Sequence, residues 1–340
     1  MPKPLRIGTL GAARITPMAL IHPANALGRV TVTAVAARDK ARARAFAAEH
    51  KIPAVHDSYE ALLADPEIDL VYNPLPIDQH APWSIAAMEA GKPVLCEKPF
   101  AMNAGEVQAM LAASERTGKR LIEAFHYRYH PAFDTCLTWV RSGLIGTVKA
   151  IDAVFHVPIK DDGAEIRHRP ENGGGAMMDL GCYPVSWVLS LLDAAPETVT
   201  ASGSLTPSGV DERLSGRLGF SGGVTASVSA DMAPDVAVKI AMTVEGTEGV
   251  IDFQRPLAPH WGGALTLRRT GEPDVSAAIS PITTYTYQLA AVVSALETGD
   301  PLPTEAGSML LRQQETLDRL YAAAGFGHLR AMGHQPDDQS

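Results

Sequence analysis

The stretch Pro93-Val94-Leu95-Cys96-Glu97-Lys98-Pro99-Phe100 sets an apolar run with strand character, Val94 to Cys96, directly before Glu97-Lys98-Pro99. Proline cannot continue a central strand, so the chain turns there and a lysine is delivered to the carboxyl end of a strand. In open α/β sheets that edge is where ligands bind. A lysine so placed can donate a proton, or act as a fixed positive charge that polarises a hydroxyl or carbonyl. Taken alone, the pattern favours a surface lysine held by a turn proline. The flanking sequence shifts the balance.

Toward the N-terminus, Leu5 to Leu10 reads as a short apolar strand, followed by Gly11-Ala12-Ala13-Arg14-Ile15-Thr16 and a helical stretch with Pro17 near its start. Strand, glycine turn and helix opening form the entry of a dinucleotide-binding unit. Of the G-x-G-x-x-G pattern only Gly11 is kept; Ala13 and Thr16 stand at the other two places. Alanine is small enough for a pyrophosphate to approach, and threonine near a helix start can supply a hydroxyl.

A second strand, Val30 to Ala36, ends in Ala37-Arg38-Asp39, where NAD-selective enzymes place a carboxylate for the ribose 2'-hydroxyl. Ala37 leaves that carboxylate out, and Arg38 can stack on adenine while pairing with a 2'-phosphate, which favours NADP. Asp39 keeps NAD open, since a register shift would turn it toward the ribose. A third strand, Asp69 to Asn73, stops at Asn73-Pro74-Leu75-Pro76, with His80 following. Strands alternate with helices throughout, which predicts a parallel doubly wound sheet over residues 1–124.

Beyond Glu123 the pattern changes. Phe125-His126-Tyr127-Arg128-Tyr129-His130-Pro131 concentrates aromatic and hydrogen-bonding groups suited to gripping a hydroxylated or aromatic ring; a core strand with outward polar residues is the rival. His156 and Arg167 are further candidates to meet hydroxyls or a carboxylate. Strands then follow from Val148 to Arg268 with few helices between them, as in an antiparallel meander with one face left open. Residues 125–327 are thus expected to form an α+β substrate-binding and oligomerisation domain. The helices Tyr285 to Leu296 and Glu305 to Ala324 would close it, and 328–340 would be a loose tail. Gly173-Gly174-Gly175 precedes Asp179 and Tyr183. Pro184 argues for a regular helix that starts near Gly181, placing Tyr183 close to its positive end.

Composition narrows the classes. A length of 340 residues allows two domains, and a formal charge of −9 without a basic cluster excludes a nucleic-acid surface. No segment approaches a membrane-spanning run of uninterrupted apolar residues, and the start has no signal-peptide pattern. Three dispersed cysteines fit a reducing cytoplasm, and eleven histidines show no metal-ligand spacing.

Four motifs in order, GTLGAARI (Gly8 to Ile15), CEKPF (Cys96 to Phe100), EAFHYRYHP (Glu123 to Pro131) and GGGAMMDLGCYP (Gly173 to Pro184), resemble the glucose-fructose oxidoreductase, inositol dehydrogenase and rhizopine catabolism oxidoreductase family. The branch resembled most holds the dimeric dihydrodiol dehydrogenases and NADP-dependent D-xylose dehydrogenases. The resemblance runs from Leu5 to about Gly325. It implies a Rossmann domain, an open-faced mainly antiparallel sheet domain, a homodimer or homotetramer built through that sheet, and a small carbohydrate or diol substrate. It matches the family's lysine to Lys98 and implies a cis Lys98-Pro99 bond. Many relatives carry histidine where Tyr183 stands, so histidine-type mechanisms and an inositol substrate do not carry over.

The residues expected to line the cofactor are Gly8, Gly11, Ala12, Ala13, Arg14, Ile15, Ala37, Arg38, Asn73, Pro74, Leu75, His80, Glu97 and Lys98. Those expected at the substrate are His126, Arg128, Asp179 and Tyr183. The implied reaction is hydride transfer between a secondary alcohol and NADP. Tyr183 takes the hydroxyl proton while Lys98 stabilises the alkoxide and favours the phenolate, because a free tyrosine near pKa ~10 is a poor base at neutral pH. Lys98 as the base is the rival. Asp179 would orient Lys98 or bind a substrate hydroxyl, and Glu97 and Asn73 would position cofactor and loop. A dinucleotide-binding regulator without catalysis and a redox-neutral glycoside-cleaving enzyme stand as alternatives.

Overall fold

The computed structural model describes residues 4–305 and 307–330. In chain order its elements are β1 (Leu5–Leu10), α1 (His22–Leu27), β2 (Val30–Ala36), α2 (Lys40–His50), β3 (Ala54–His56), α3 (Tyr59–Leu63), β4 (Leu70–Asn73), α4 (His80–Glu89), β5 (Val94–Cys96), α5 (Ala104–Thr117) and β6 (Leu121–Glu123). They continue with α6 (Pro131–Arg141), β7 (Val148–His156), α7 (Cys182–Leu192), β8 (Thr198–Leu205), β9 (Asp211–Gly219), β10 (Thr225–Asp231), β11 (Lys239–Gly246), β12 (Gly249–Gln254), β13 (Ala264–Arg269), β14 (Val275–Ser276), α8 (Thr284–Thr298) and α9 (Gly307–Ala323). Contacts divide the chain into two compact units. The first comprises the chain up to Ala101, Gly105–Arg128 and Ile282–Leu310; the second comprises Met102–Ala104, Tyr129–Pro281 and the chain from Leu311 on.

The first unit holds a six-stranded parallel sheet in the order β3-β2-β1-β4-β5-β6. Strand order reverses between β1 and β4, and such a switch point opens a crevice at the carboxyl edge. Every residue of β4, β5 and β6 is buried, as strands covered on both faces require. Local signals start the helices: Asp39 and Ser58 accept backbone N–H groups at the heads of α2 and α3. One helix departs from expectation. The sequence placed Tyr285 to Leu296 in the second domain, but α8 packs on α1 in the first unit and buries Leu289, Val292 and Val293 there. Its apolar face matched either destination, and the return of the chain is a non-local event.

The second unit is built on an eight-stranded sheet, β14-β13-β12-β11-β7-β10-β9-β8. All pairs are antiparallel except the central β7 and β10. Ile151, Ala153 and Phe155 of β7 and Ala226, Val228 and Ala230 of β10 form the buried face, against which α7 packs. The other face carries Asp152, His156, Ser227 and Ser229, tied by bonds from Ser227 to Asp152 (3.0 Å) and between His156 and Ser229 (2.7 Å). Gly216 of β9 has no room for a side chain because Leu320 of α9 occupies the place, with Cδ2 2.1 Å from an added Cβ.

Two further segments complete the second unit. The stretch Pro170–Leu192 is long and apolar enough to cross a membrane by composition, but 89% of its most apolar window is buried inside the protein, where it serves as the core helix. Residues 328–330 of the expected tail form a short 3-10 turn in which Leu329 and Arg330 are buried and the Arg330 guanidinium lies 4.2 Å over the Tyr321 ring. Positions 331–340 lie outside the described residues.

Candidate active site

Gly11 turns the chain after β1 with φ +80° and donates its N–H to the Ala36 carbonyl at 2.6 Å, joining the ends of β1 and β2. A side chain there would be strained by that backbone conformation and would meet Leu75. Gly8 is required inside the sheet, where an added Cβ would lie 2.7 Å from Ile68 Cδ1 and 2.9 Å from Leu62 Cδ2. Ala12 is buried and its carbonyl accepts from Arg42; Arg14 is exposed and Ile15 half-buried. A side-chain-free turn, the small Ala13 and the switch point beside β1 fit the pyrophosphate of a nicotinamide dinucleotide. After β2, Ala37 is buried and Arg38 exposed. Asp39 Oδ1 accepts from the N–H groups of Ala41 (2.9 Å) and Arg42 (3.1 Å), so this carboxylate caps α2.

A network of buried polar groups shapes the next two loops. Asn73 Nδ2 donates to the His80 carbonyl (3.2 Å) and to Ser84 Oγ (3.1 Å), while its Oδ1 accepts from the Leu75 N–H (3.3 Å). The His80 ring lies between two carbonyls, with Nδ1 2.9 Å from Pro99 O and Nε2 2.8 Å from Leu75 O. Burial pulls this imidazole down to about 4. Asn73 and His80, expected at the cofactor, therefore spend their polar atoms in tying the Pro74-Leu75 turn to the Pro99 turn. The Lys98-Pro99 bond is cis, as the resemblance implied. Lys98 is half-buried at the end of β5.

Two acids flank that lysine. Glu97 is buried, and its Oε1 accepts from the Tyr72 hydroxyl at 2.7 Å. Glu123, on β6 opposite Cys96, is 2% exposed and its Oε1 has no partner among the described residues. Sequence reasoning quoted Glu123 within a motif and gave it no role. The available signal was a glutamate closing the apolar run Leu121-Ile122.

The second unit presents Tyr183 from α7. Asp211 anchors the head of that helical segment: its Oδ2 accepts from the Met177 N–H (2.7 Å) and its Oδ1 from the Tyr321 hydroxyl (2.6 Å). Burial pushes its carboxyl up to about 6. Gly175, at φ +125°, is required because an added Cβ would lie 1.9 Å from Asp211 Oδ1. The regular α-helix starts at Cys182 with Gly181 as its N-cap, where Pro184 argued it should. A π-helical turn over Met177–Gly181 leads directly into α7, with Gly181 itself helical at φ −70° and ψ −22°. The wider turn accommodates Pro184, which lacks an N–H for the ordinary ladder. Tyr183 thus follows a preceding helical turn and is not at a free positive end. It is 4% exposed, with the rings of Phe155 and Trp187 at 5.6 and 6.5 Å.

Other expected substrate residues are redistributed. Asp179 Oδ2 accepts from Arg167 Nε at 2.6 Å, and Arg167 Nη1 donates to Glu165 Oε1 at 3.0 Å. Asp179 thus pairs with an arginine of its own unit, which raises the guanidinium pKa further. His126 is buried in the first unit, with Nδ1 2.7 Å from Thr284 Oγ1 and its ring 3.9 Å from that of Tyr285. That places it in the seat of α8, a packing role in place of the expected substrate contact. Arg128 is half-buried at the end of the same short turn. His156 lies on the face of the second sheet opposite Phe155 and α7. No cluster of three or more metal-ligating side chains occurs among the described residues.

A doubly wound sheet with a glycine turn at its switch point and a lysine at its carboxyl edge defines a dinucleotide-dependent oxidoreductase. Residues 5–125 match the model of the oxidoreductase family with an NAD-binding Rossmann fold, and residues 133–252 match the GFO/IDH/MocA C-terminal domain. The chain belongs to this GFO/IDH/MocA oxidoreductase family, and its cofactor is NAD(P). It is 35% identical to an uncharacterized oxidoreductase of Rhizobium meliloti over 88% of this chain and 91% of the relative. It is 34% identical to the D-xylose 1-dehydrogenase (NADP(+)) 2 of Haloferax volcanii over 95% of this chain and 98% of the relative. A crystal structure of a 3-ketoreductase from Actinomadura kijaniata, in complex with NADP and TDP-benzene, superposes with a TM-score of 0.85 at 26% identity. That match covers 94% of this chain and 98% of the other.

Proposed function

We propose that this protein is an NADP-dependent dehydrogenase or reductase that acts on a secondary alcohol of a small sugar, cyclic polyol or dihydrodiol. The observation that carries the proposal is the placement of Lys98 at the carboxyl end of β5 in a unit whose strand order and glycine turn suit a dinucleotide. The cofactor supplies the hydride acceptor or donor. Lys98, as an ammonium, stabilises negative charge on the reacting oxygen, and Tyr183 takes or returns its proton. Phe155 and Trp187 limit water around the Tyr183 phenol, and Arg167 orients the Asp179 carboxylate.

The preference for NADP is supported by Arg38, exposed after β2, by the lack of a carboxylate at Ala37, and by the use of Asp39 as a helix cap. The Haloferax relative is named for NADP, and the Actinomadura enzyme was crystallised with it. The polar open face of the second sheet supports assembly into a homodimer or homotetramer. Three buried cysteines with no disulfide among the described residues support a cytoplasmic setting. The domain assignment that goes with this function is 1–124 for the cofactor and 125–327 for substrate and assembly, save that 125–128 and 282–310 fall in the first unit.

The test is cofactor reduction by purified protein with NADP and with NAD, against aldoses, polyols, dihydrodiols and hydroxy acids. NADP-linked oxidation of one ring class is the expected result. Dinucleotide binding without turnover across the panel would instead favour a regulator or a redox-neutral enzyme, and preference for NAD would overturn the role of Arg38.

A further inference from the structure

Glu123 is a buried acid of the first unit. Its strand position is level with the end of β5: Cys96 opposes Glu123 in the parallel pair, and the Ala124 N–H donates to the Cys96 carbonyl at 2.8 Å. The side chain is turned inward, and the Phe100 N–H donates to its carboxyl. Its Oε1 is left with no hydrogen-bond partner among the described residues. Glu97 is placed differently, because it accepts from the Tyr72 hydroxyl at 2.7 Å and from the Lys98 N–H at 3.3 Å. Two donors stabilise a charge on Glu97, whereas one backbone N–H in an apolar pocket does little for a charge on Glu123. A second buried carboxylate that interacts with a charged Glu97 is disfavoured further at neutral pH.

We propose that Glu123 is a positioning residue for Lys98: its buried, neutral carboxyl braces the Lys98-Pro99-Phe100 turn through the Phe100 N–H beside the hydrogen-bonded Glu97. The proposal rests on the reading of Lys98 as the active-site cation. Charge balance is the consequence. With Glu97 ionised, Glu123 protonated and Lys98 an ammonium, the cluster is neutral. If Glu123 ionises, two carboxylates face one ammonium and the cluster carries a net negative charge. The titratable groups around Glu123 are Glu97, Lys98 and Cys96 from β5 and its turn. Behind Glu97 stands Tyr72 of β4, which in turn faces Tyr285 of α8. Burial and the neighbouring Glu97 charge both push the Glu123 carboxyl well up, and Lys98 opposes them.

Two measurements test this. The first is the infrared titration of ligand-free protein, wild type against Glu123→Gln and Glu97→Gln. A protonated-carboxyl band is expected in the wild type at neutral pH; Glu123→Gln removes it, and Glu97→Gln shifts its titration down by about one pH unit. The second is the pH dependence of kcat/KM. Glu123→Gln, which keeps shape and neutrality, should lose one ionisation from the alkaline limb of that profile. Absence of the band in the wild type, or a band that Glu123→Gln leaves in place, overturns the proposal. So do superimposable pH profiles. Should Glu123→Gln fail to fold, an unshifted titration in Glu97→Gln overturns it instead. The infrared result does not depend on turnover, so an inactive wild type would remove the enzymatic reading and leave the neutral Glu123 carboxyl to be judged separately.

Discussion

Two buried acids, Glu123 in the first unit and Asp211 in the second, differ in the company they keep. Asp211 spends both oxygens, on the Met177 N–H and the Tyr321 hydroxyl, and the glycine at 175 is shaped around it. Glu123 has a backbone N–H on its carboxyl and an orphaned Oε1 beside Glu97 and Lys98. Burial disfavours ionisation of both, yet only one is fully hydrogen-bonded. A buried acid whose oxygens are all used holds the fold, whereas one left partly unsatisfied beside a candidate catalytic cation marks chemistry.

The sharpest way to break this contrast is to remove the reactive group each acid supports. Lys98→Met is expected to lower kcat/KM by about a thousandfold, and Tyr183→Phe by about a hundredfold, with both variants keeping wild-type melting temperatures. Steady-state kinetics with calorimetry checks both. Next in size is Asp211→Ala, which leaves the Met177 N–H and the Tyr321 hydroxyl unpaired and should cost about 3 kcal/mol of stability in denaturant unfolding. The pH profile of activity should not move. If it does, Asp211 is not the purely structural acid of the pair.

A finer test uses two groups whose ionisations oppose one another. His80 is depressed from 6.5 to about 4, so the stability it contributes is complete above pH 6.5 and is lost as pH falls through 4. Asp211 is raised from 3.8 to about 6, so its contribution is present below 3.8 and is lost as pH rises through 6. Each is worth about 3 kcal/mol over its window, and between pH 6 and 4 they offset. Asp211→Asn should therefore make the protein lose stability on acidification through that range more steeply than the wild type. A melting curve series from pH 4 to 7 reads this directly. The smallest expected effect is at the cofactor: Arg38→Ala should raise KM for NADP about tenfold and leave KM for NAD unchanged.

Much of the first unit was legible because its signals are local. Strand runs, the Gly11 turn and the Pro99 turn each depend on neighbours in sequence, and together they place Lys98. The destination of α8 was not legible, because its apolar face does not say which unit it covers. The start of the regular helix at Gly181 was legible from Pro184, but the widened turn over Met177–Gly181 before it was not, because residue spacing does not show a change of ladder. His126 and Asp179 carried the right chemistry for a substrate site. Their partners, Thr284 and Arg167, are 158 and 12 residues away, so pairing could not be read from residue type. Glu123 was visible as a charge closing an apolar strand, and its orphaned oxygen required the fold.

The most direct test of the central claim combines binding and turnover in one variant. NADPH binding to Lys98→Met, followed by nicotinamide fluorescence, should match the wild type, while oxidation of the best substrate falls by about a thousandfold. Binding intact with turnover within about threefold of the wild type would contradict the assignment of Lys98 as the active-site cation.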